Sequence, residues 1–209
     1  MSWTYVYKFF SVLCLLLSCW SAQASEQLYL DRCLSCHGGT GAGNEALGAP
    51  SIAGMSSKYV ALQLRHYRDG IRGYQSGDSF GPLMVASAKG LSDENIAALA
   101  VFVSEMAVPK LMLSAEGDAF NPFKARGVYS GCSSCHGAKG DGNEALGAPR
   151  ISQQYPSYLK RQLLNFRAGV RGDHKDDVLG QQMKLLATQI PSEDDIDTIT
   201  RYLVVMGAQ

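Results

Sequence analysis

Two short runs hold side chains that can do chemistry together: Cys33-Leu34-Ser35-Cys36-His37 and, 99 positions later, Cys132-Ser133-Ser134-Cys135-His136. In a C-x-x-C-H pattern the two thiols are spaced to add to the vinyl groups of one porphyrin, and the adjoining imidazole is placed to ligate its iron from one face. Two copies imply two covalently bound haem c groups. Other uses of a C-x-x-C pair fit less well. A thioredoxin-like pair needs no histidine directly after its second cysteine and belongs to a βαβ unit, of which there is no sign here. A zinc ribbon brings its cysteine pairs closer together.

The opposite axial position separates a carrier from an enzyme. His37 and His136 are the proximal ligands, and His66 and His174 are the remaining histidines. Each of these aligns with a residue that cannot replace it, Asn165 and Gln75, and both are read as outside the ligand set. Met55 aligns with Gln154, and Met112 lies between the halves. Met106 and Met206 are paired, but on the apolar stripe of each final helix. Met84 and Met183 are the better candidates. Each follows its histidine by 47 residues, in a segment expected to be irregular, just ahead of the last helix. A lone methionine is usually core filler, but a matched pair at one offset reads as an axial thioether. Such a ligand favours ferrous iron and raises the reduction potential. With both axial positions filled, the iron changes charge with little rearrangement. This suits electron transfer and not catalysis, so no enzyme activity is expected. Two further pairs complete the candidate site. Pro50 and Pro149 would offer a carbonyl to the histidine Nδ1–H. Arg72 and Arg171 would pair with haem propionates.

The elements that must position these residues repeat as well. At the 99-residue shift, Gly43-Asn44-Glu45-Ala46-Leu47-Gly48-Ala49-Pro50 recurs unchanged from Gly142 to Pro149. Tyr59, Gln63, Leu64, Arg68, Gly70, Arg72 and Gly73 recur as Tyr158, Gln162, Leu163, Arg167, Gly169, Arg171 and Gly172. Repetition of this extent means a duplicated domain. A short helix should precede each haem motif, the second opening on Asn121-Pro122 as N-cap and first helical residue. A helix over Ser57–Arg68 and its counterpart over Ser157–Arg167 present Val60, Leu64, Tyr67 and Leu159, Leu163, Phe166 on one face, and Gly70 and Gly169 end them. The last helix of each half starts at Ser92 or Ser192, with acidic residues in its first turn. Its buried stripe is Ile96, Leu99, Phe102, Met106 or Ile196, Ile199, Leu203, Met206. The fold class is therefore all-α, two tandem domains related by duplication. The domain bounds are 1–24 for a signal peptide, 25–106, a linker over 107–120, and 121–209.

The start of the chain reads as a secretory signal: Lys8, an apolar run from Phe9 to Trp20, and Ala22-Gln23-Ala24 as cleavage site. The alternatives are an uncleaved membrane anchor and a lipid-modified Cys19. Cleavage after Ala24 leaves 185 of the 209 residues and removes Cys14 and Cys19, so that every remaining cysteine lies in a C-x-x-C-H motif. Without Lys8 the chain has 18 Lys and Arg against 19 Asp and Glu, far from the basic footprint of a nucleic-acid-binding protein.

Taken together, these motifs resemble the cytochrome c4 family, two-domain di-haem members of the class I cytochromes c. The resemblance rests on CLSCHGG and CSSCHGA, GAPSIAG and GAPRISQ, YVALQLRHYRDGIRG and YLKRQLLNFRAGVRG, and the matched Met84 and Met183. It implies two similar domains about a pseudo-twofold axis, with propionate edges facing the interface. The function implied is a periplasmic electron carrier, often at the membrane surface. Its partners would be redox proteins: a quinol-oxidising complex or dehydrogenase upstream and a terminal oxidase downstream. The alternative is a di-haem electron-transfer subunit of a periplasmic dehydrogenase. Finally, Lys139, Arg150, Lys160 and Arg161 replace Thr40, Ser51, Ala61 and Leu62 of the first half. This gives the expectation of a more positive docking face on the second domain.

Overall fold

The computed structural model describes residues 23–112 and 120–206. The body of the expected signal peptide, half of the expected linker and the last three residues lie outside these. Helix α1 covers residues 23–32 and runs through Cys33 into α2 (Leu34–His37). The rest of the first half is α3 (Ser57–Arg68), α4 (Gly81–Ala88) and α5 (Asp93–Ser104). The second half repeats the order as α6 (Pro122–His136), α7 (Pro156–Arg167), α8 (Val178–Ala187) and α9 (Glu193–Met206). Among the described residues there are no strands, only the matched single bridges Asn44–Ala49 and Asn143–Ala148. No described helix is long and apolar enough to cross a membrane.

Capping follows local chemistry. The Asn121 side chain accepts from the amides of Phe123 and Lys124, with Pro122 at the first turn of α6. Ser92 and Asn95 form a reciprocal capping box on α5. Ser192 Oγ accepts from Asp195 N at 3.1 Å at the start of α9. The apolar stripes then pack into one core per half. Tyr67, Ile96, Leu99 and Val103 are buried with Tyr29 in the first, and Leu159, Ile199 and Leu203 with Tyr129 in the second. Met106 and Met206 pack against these cores.

One expectation is corrected. Met84 and Met183 do not lie in irregular segments but in α4 and α8. Each helix is initiated by an aspartate three residues ahead of a glycine: Asp78 Oδ1 accepts from Gly81 N at 2.8 Å, and Asp177 Oδ1 from Gly180 N at 2.9 Å. The aspartate side chain occupies the place a Cβ on that glycine would take. An amphipathic period therefore has little room to show in an 8-residue helix such as α4 that opens on Gly-Pro.

The halves meet through side chains of α3, α7 and the loops beside them. Gln154 Oε1 accepts from Ser51 N at 2.9 Å and Gln154 Nε2 donates to Ser51 O at 2.7 Å. Arg150 Nη2 donates to Ala53 O at 2.9 Å. Of the four residues expected to form a positive docking face, Lys139 is exposed and the other three are engaged within the chain. Arg150 is 8% exposed and is used within the chain. Arg161 donates across the interface to Gly48 O, and Lys160 pairs with Asp197 at 2.8 Å.

Candidate functional site

Each C-x-x-C-H run is helical, with Cys36 N and His37 N both bonded to Cys33 O. Helical spacing of three and four residues sets Cys33, Cys36 and His37 on one face, and Cys132, Cys135 and His136 likewise in α6. The chain then turns back. Gly43 N bonds to His37 O, and Gly142 N to His136 O, each at 2.9 Å. Asn44 and Ala49 exchange two backbone bonds at 2.9 Å, closing the loop so that Pro50 lies against Gly43. That approach requires glycine: φ is +86° at Gly43 and +87° at Gly142, and a Cβ would come within 2.5 Å of Pro50 C or 2.6 Å of Arg150 N.

The tight loop delivers a carbonyl to each histidine. His37 Nδ1 lies 2.9 Å from Pro50 O, and His136 Nδ1 lies 2.8 Å from Pro149 O. Burial holds both imidazoles below the usual histidine range, against the smaller opposing effect of the carbonyl bond. A neutral ring that donates from Nδ1 leaves the Nε2 lone pair for a metal. Burial also pushes the Cys33 thiol up to about 11, and Cys132 in the same direction. That is opposite to the low-pKa thiolate of a redox disulfide pair.

Facing each motif is an apolar cleft. The first is lined by Cys33, Cys36, His37, Leu64, Tyr67 and Met84, the second by Cys132, Cys135, His136, Leu163, Phe166 and Met183. Their volumes, open mouths included, are about 1330 and 1640 Å³. The structure thus brings each methionine into the same cleft as its C-x-x-C-H run. His66 and His174 line neither cleft.

Arg72 and Arg171 stand where the two clefts meet. Arg72 donates to Gln63 Oε1 at 2.5 Å and to Gln162 Oε1 at 2.9 Å. Arg171 donates to Gln162 Oε1 at 2.7 Å, and to Gln63 Oε1 and Tyr59 Oη at 3.2 Å. The two guanidinium groups and two amides form a closed ring across the interface. Among the described residues neither arginine has an acidic partner within 4.0 Å, and both Nε atoms are buried without a hydrogen bond. Two unneutralised cations lining the clefts are a site for anionic groups. With the thiols, the imidazole and the apolar walls, they fit a porphyrin bearing propionates.

Sequence reasoning missed one contact. Tyr29 Oη and Tyr129 Oη donate to Gly38 O and Gly137 O, the carbonyls just after each haem histidine. The two tyrosines sit four and three residues ahead of the first cysteine, so the 99-residue alignment does not pair them.

Fold and clefts together define a c-type cytochrome with two haem sites in one chain. The cytochrome c family profile matches residues 22–107 and 124–206, and the chain belongs to the cytochrome c family, among its di-haem cytochromes c4. A cytochrome c4 of Azotobacter vinelandii is 28% identical over 179 residues, 82% of each chain. A thiosulfate dehydrogenase electron acceptor of Stutzerimonas stutzeri (strain A1501) is 29% identical over 185 residues, 84% of this chain and 79% of that one. Reduced recombinant cytochrome c4 from Pseudomonas stutzeri shares the fold, with a TM-score of 0.69 at 24% identity over 87% of this chain and 96% of that one. The protein carries two covalently bound haem c groups and is a di-haem electron carrier that exchanges electrons with redox proteins.

Proposed function

We propose that this chain acts in the periplasm as a one-electron relay with no catalytic activity of its own. It takes electrons from a quinol-oxidising complex or a dehydrogenase and passes them to a terminal oxidase. The observation that carries this reading is the paired cleft. Each is lined by a C-x-x-C-H helix, whose imidazole is anchored by a carbonyl, and by a repeated methionine.

In this reading Cys33 and Cys36, and Cys132 and Cys135, hold the two haems as thioethers. His37 and Met84 would bind one iron, and His136 and Met183 the other. The Pro50 and Pro149 carbonyls fix the ring orientation and raise imidazole basicity. Arg72 and Arg171 neutralise propionate charge from within the domain interface. Bound there, the haem would supply one-electron chemistry. The apolar walls exclude water, which keeps the charge change inexpensive in reorganisation.

The test is reconstitution. Membranes stripped of soluble cytochromes should regain oxygen consumption when the purified holoprotein is added with a quinol donor. Failure of the reduced protein to be reoxidised by such membranes would contradict the terminal-oxidase assignment. The likeness to an electron acceptor of thiosulfate dehydrogenase favours a second reading, a dedicated subunit of a periplasmic dehydrogenase. Stable co-purification with a catalytic chain would select it.

A further inference from the structure

We infer that Arg161, a residue of the second domain, forms part of the first domain's haem cleft and holds the reduction potential of that haem up. The inference rests on the reading of the cleft as a haem site, and it concerns what makes the two centres unlike.

The Arg161 side chain leaves α7 and crosses the interface. Its Nη2 donates to Gly48 O at 2.6 Å. Its Cζ lies 4.2 Å from the centroid of the Phe80 ring and 5.4 Å from that of Tyr158. It lines the same cleft as Cys36, His37 and Met84. Among the described residues no acidic side chain lies within 4.0 Å of it, and its Nε is buried without a hydrogen bond. A full positive charge therefore stands in the cleft wall, partly desolvated and uncompensated. Guanidinium suits the position because it stays charged and stacks on aromatic faces.

The second cleft has no cation at this position; its own buried arginine, Arg150, stands elsewhere in the lining, with its guanidinium bonded to the carbonyls of Ser152, Gln153 and Ala53. Arg161 aligns with Leu62 and Phe80 with Leu179, and Leu62 does not line the second cleft. The two positions differ together, a cation with its aromatic seat on one side and two leucines on the other. The frame around them is unchanged: a Cβ on Gly48 would strike the Phe80 ring, and one on Gly147 would strike Leu179. A fixed cation destabilises the more positive, ferric state of a nearby iron, and burial shields that effect from salt. Because the cation belongs to the other domain, the first haem takes its full potential only when the domains are docked.

The test is a redox titration of the holoprotein, with the haems resolved by paramagnetically shifted proton signals assigned to each domain. Arg161→Leu, which copies Leu62, should lower the first haem's ferrous-to-ferric ratio at fixed poise by about three- to tenfold, tenfold being about 59 mV for a one-electron couple, and leave the second haem in place. Arg161→Gln serves equally should the leucine variant not fold. Arg161→Lys, which keeps the charge and loses the fork, should retain most of the potential. An unmoved first haem, equal shifts at both haems, or a lysine variant as low as the leucine one would overturn the inference. A wild-type protein that does not titrate as two haems would instead overturn the reading of the cleft.

Discussion

Replacing Gln154 by methionine, the residue at its repeat position Met55, should loosen the domain interface by a calculable amount. Gln154 is 1% exposed and Ser51 0%. The amide bonds both backbone groups of Ser51, accepting from its N–H at 2.9 Å and donating to its carbonyl at 2.7 Å. Methionine keeps the length of the side chain and removes both partners. A buried polar group left unsatisfied costs ~1–3 kcal/mol. Tyr155 N, which also bonds Gln154 Oε1 at 3.1 Å, is only partly buried and can turn to water. Two stranded groups at Ser51 therefore amount to about 2–6 kcal/mol. In a chain of this size 1 kcal/mol moves Tm by about 2–4 °C, so the variant should melt roughly 4–24 °C below wild type. The assay is thermal unfolding of the holoprotein by far-UV circular dichroism. Ser157→Ala is the control, since its bond to Glu45 is exposed and its removal should cost no more than ~0.5 kcal/mol. A Gln154→Met melt indistinguishable from that of Ser157→Ala would refute the reasoning.

Three further outcomes are expected. Met84→Ala should remove about half of the far-red ferric band and allow carbon monoxide to bind at one haem per chain, as follows from loss of one axial thioether; a full band with no carbon monoxide binding would show that Met84 is not a ligand. Converting both Cys33 and Cys36 to serine should leave the first half largely unfolded, because a domain of this size buries a modest core without its porphyrin; a cooperative, native-like melt of that half would contradict this. His66 is 6% exposed, with Nδ1 3.6 Å from Asp177 Oδ1 across the interface. Burial holds its pKa below the usual value despite Asp177, and Arg72, Arg171 and His174 act in the same direction as burial. The unfolded chain thus takes up a proton near pH ~6.5 that the fold resists, so stability falls as pH drops from there toward the lower folded value. His66→Asn, copying Asn165, should lessen the loss measured between about pH 7.5 and 5; an unaltered slope would rule His66 out as its source.

The halves and their main helices were legible because duplication and helical period reinforce each other. Val60, Leu64 and Tyr67 in one copy and Leu159, Leu163 and Phe166 in the other mark the same face, and Ser92 and Ser192 carry the same capping chemistry. The haem motifs were legible for a different reason: thiols and imidazole three and four residues apart need only one helical turn to converge. What escaped was what depends on tertiary placement. Helices α4 and α8 are initiated by Asp78 and Asp177 folding back on glycine, not by a periodic stripe. Arg150 and Arg161 read as surface charge because nothing in a linear chain says which side of a helix meets the other domain. The ring of Arg72, Gln63, Arg171 and Gln162 was half visible, as two repeated arginines and two repeated glutamines. Their mutual contact exists only once the domains are docked.

The central claim, two irons in one chain each bound by nitrogen on one face and sulfur on the other, is tested most directly by a spectroscopic redox titration of the purified protein under carbon monoxide and under argon. The account requires two one-electron transitions per chain, a far-red ferric band sized for two thioether-bound irons, and the same curve under both gases. A colourless product, a single transition, or carbon monoxide taken up at both centres would contradict it.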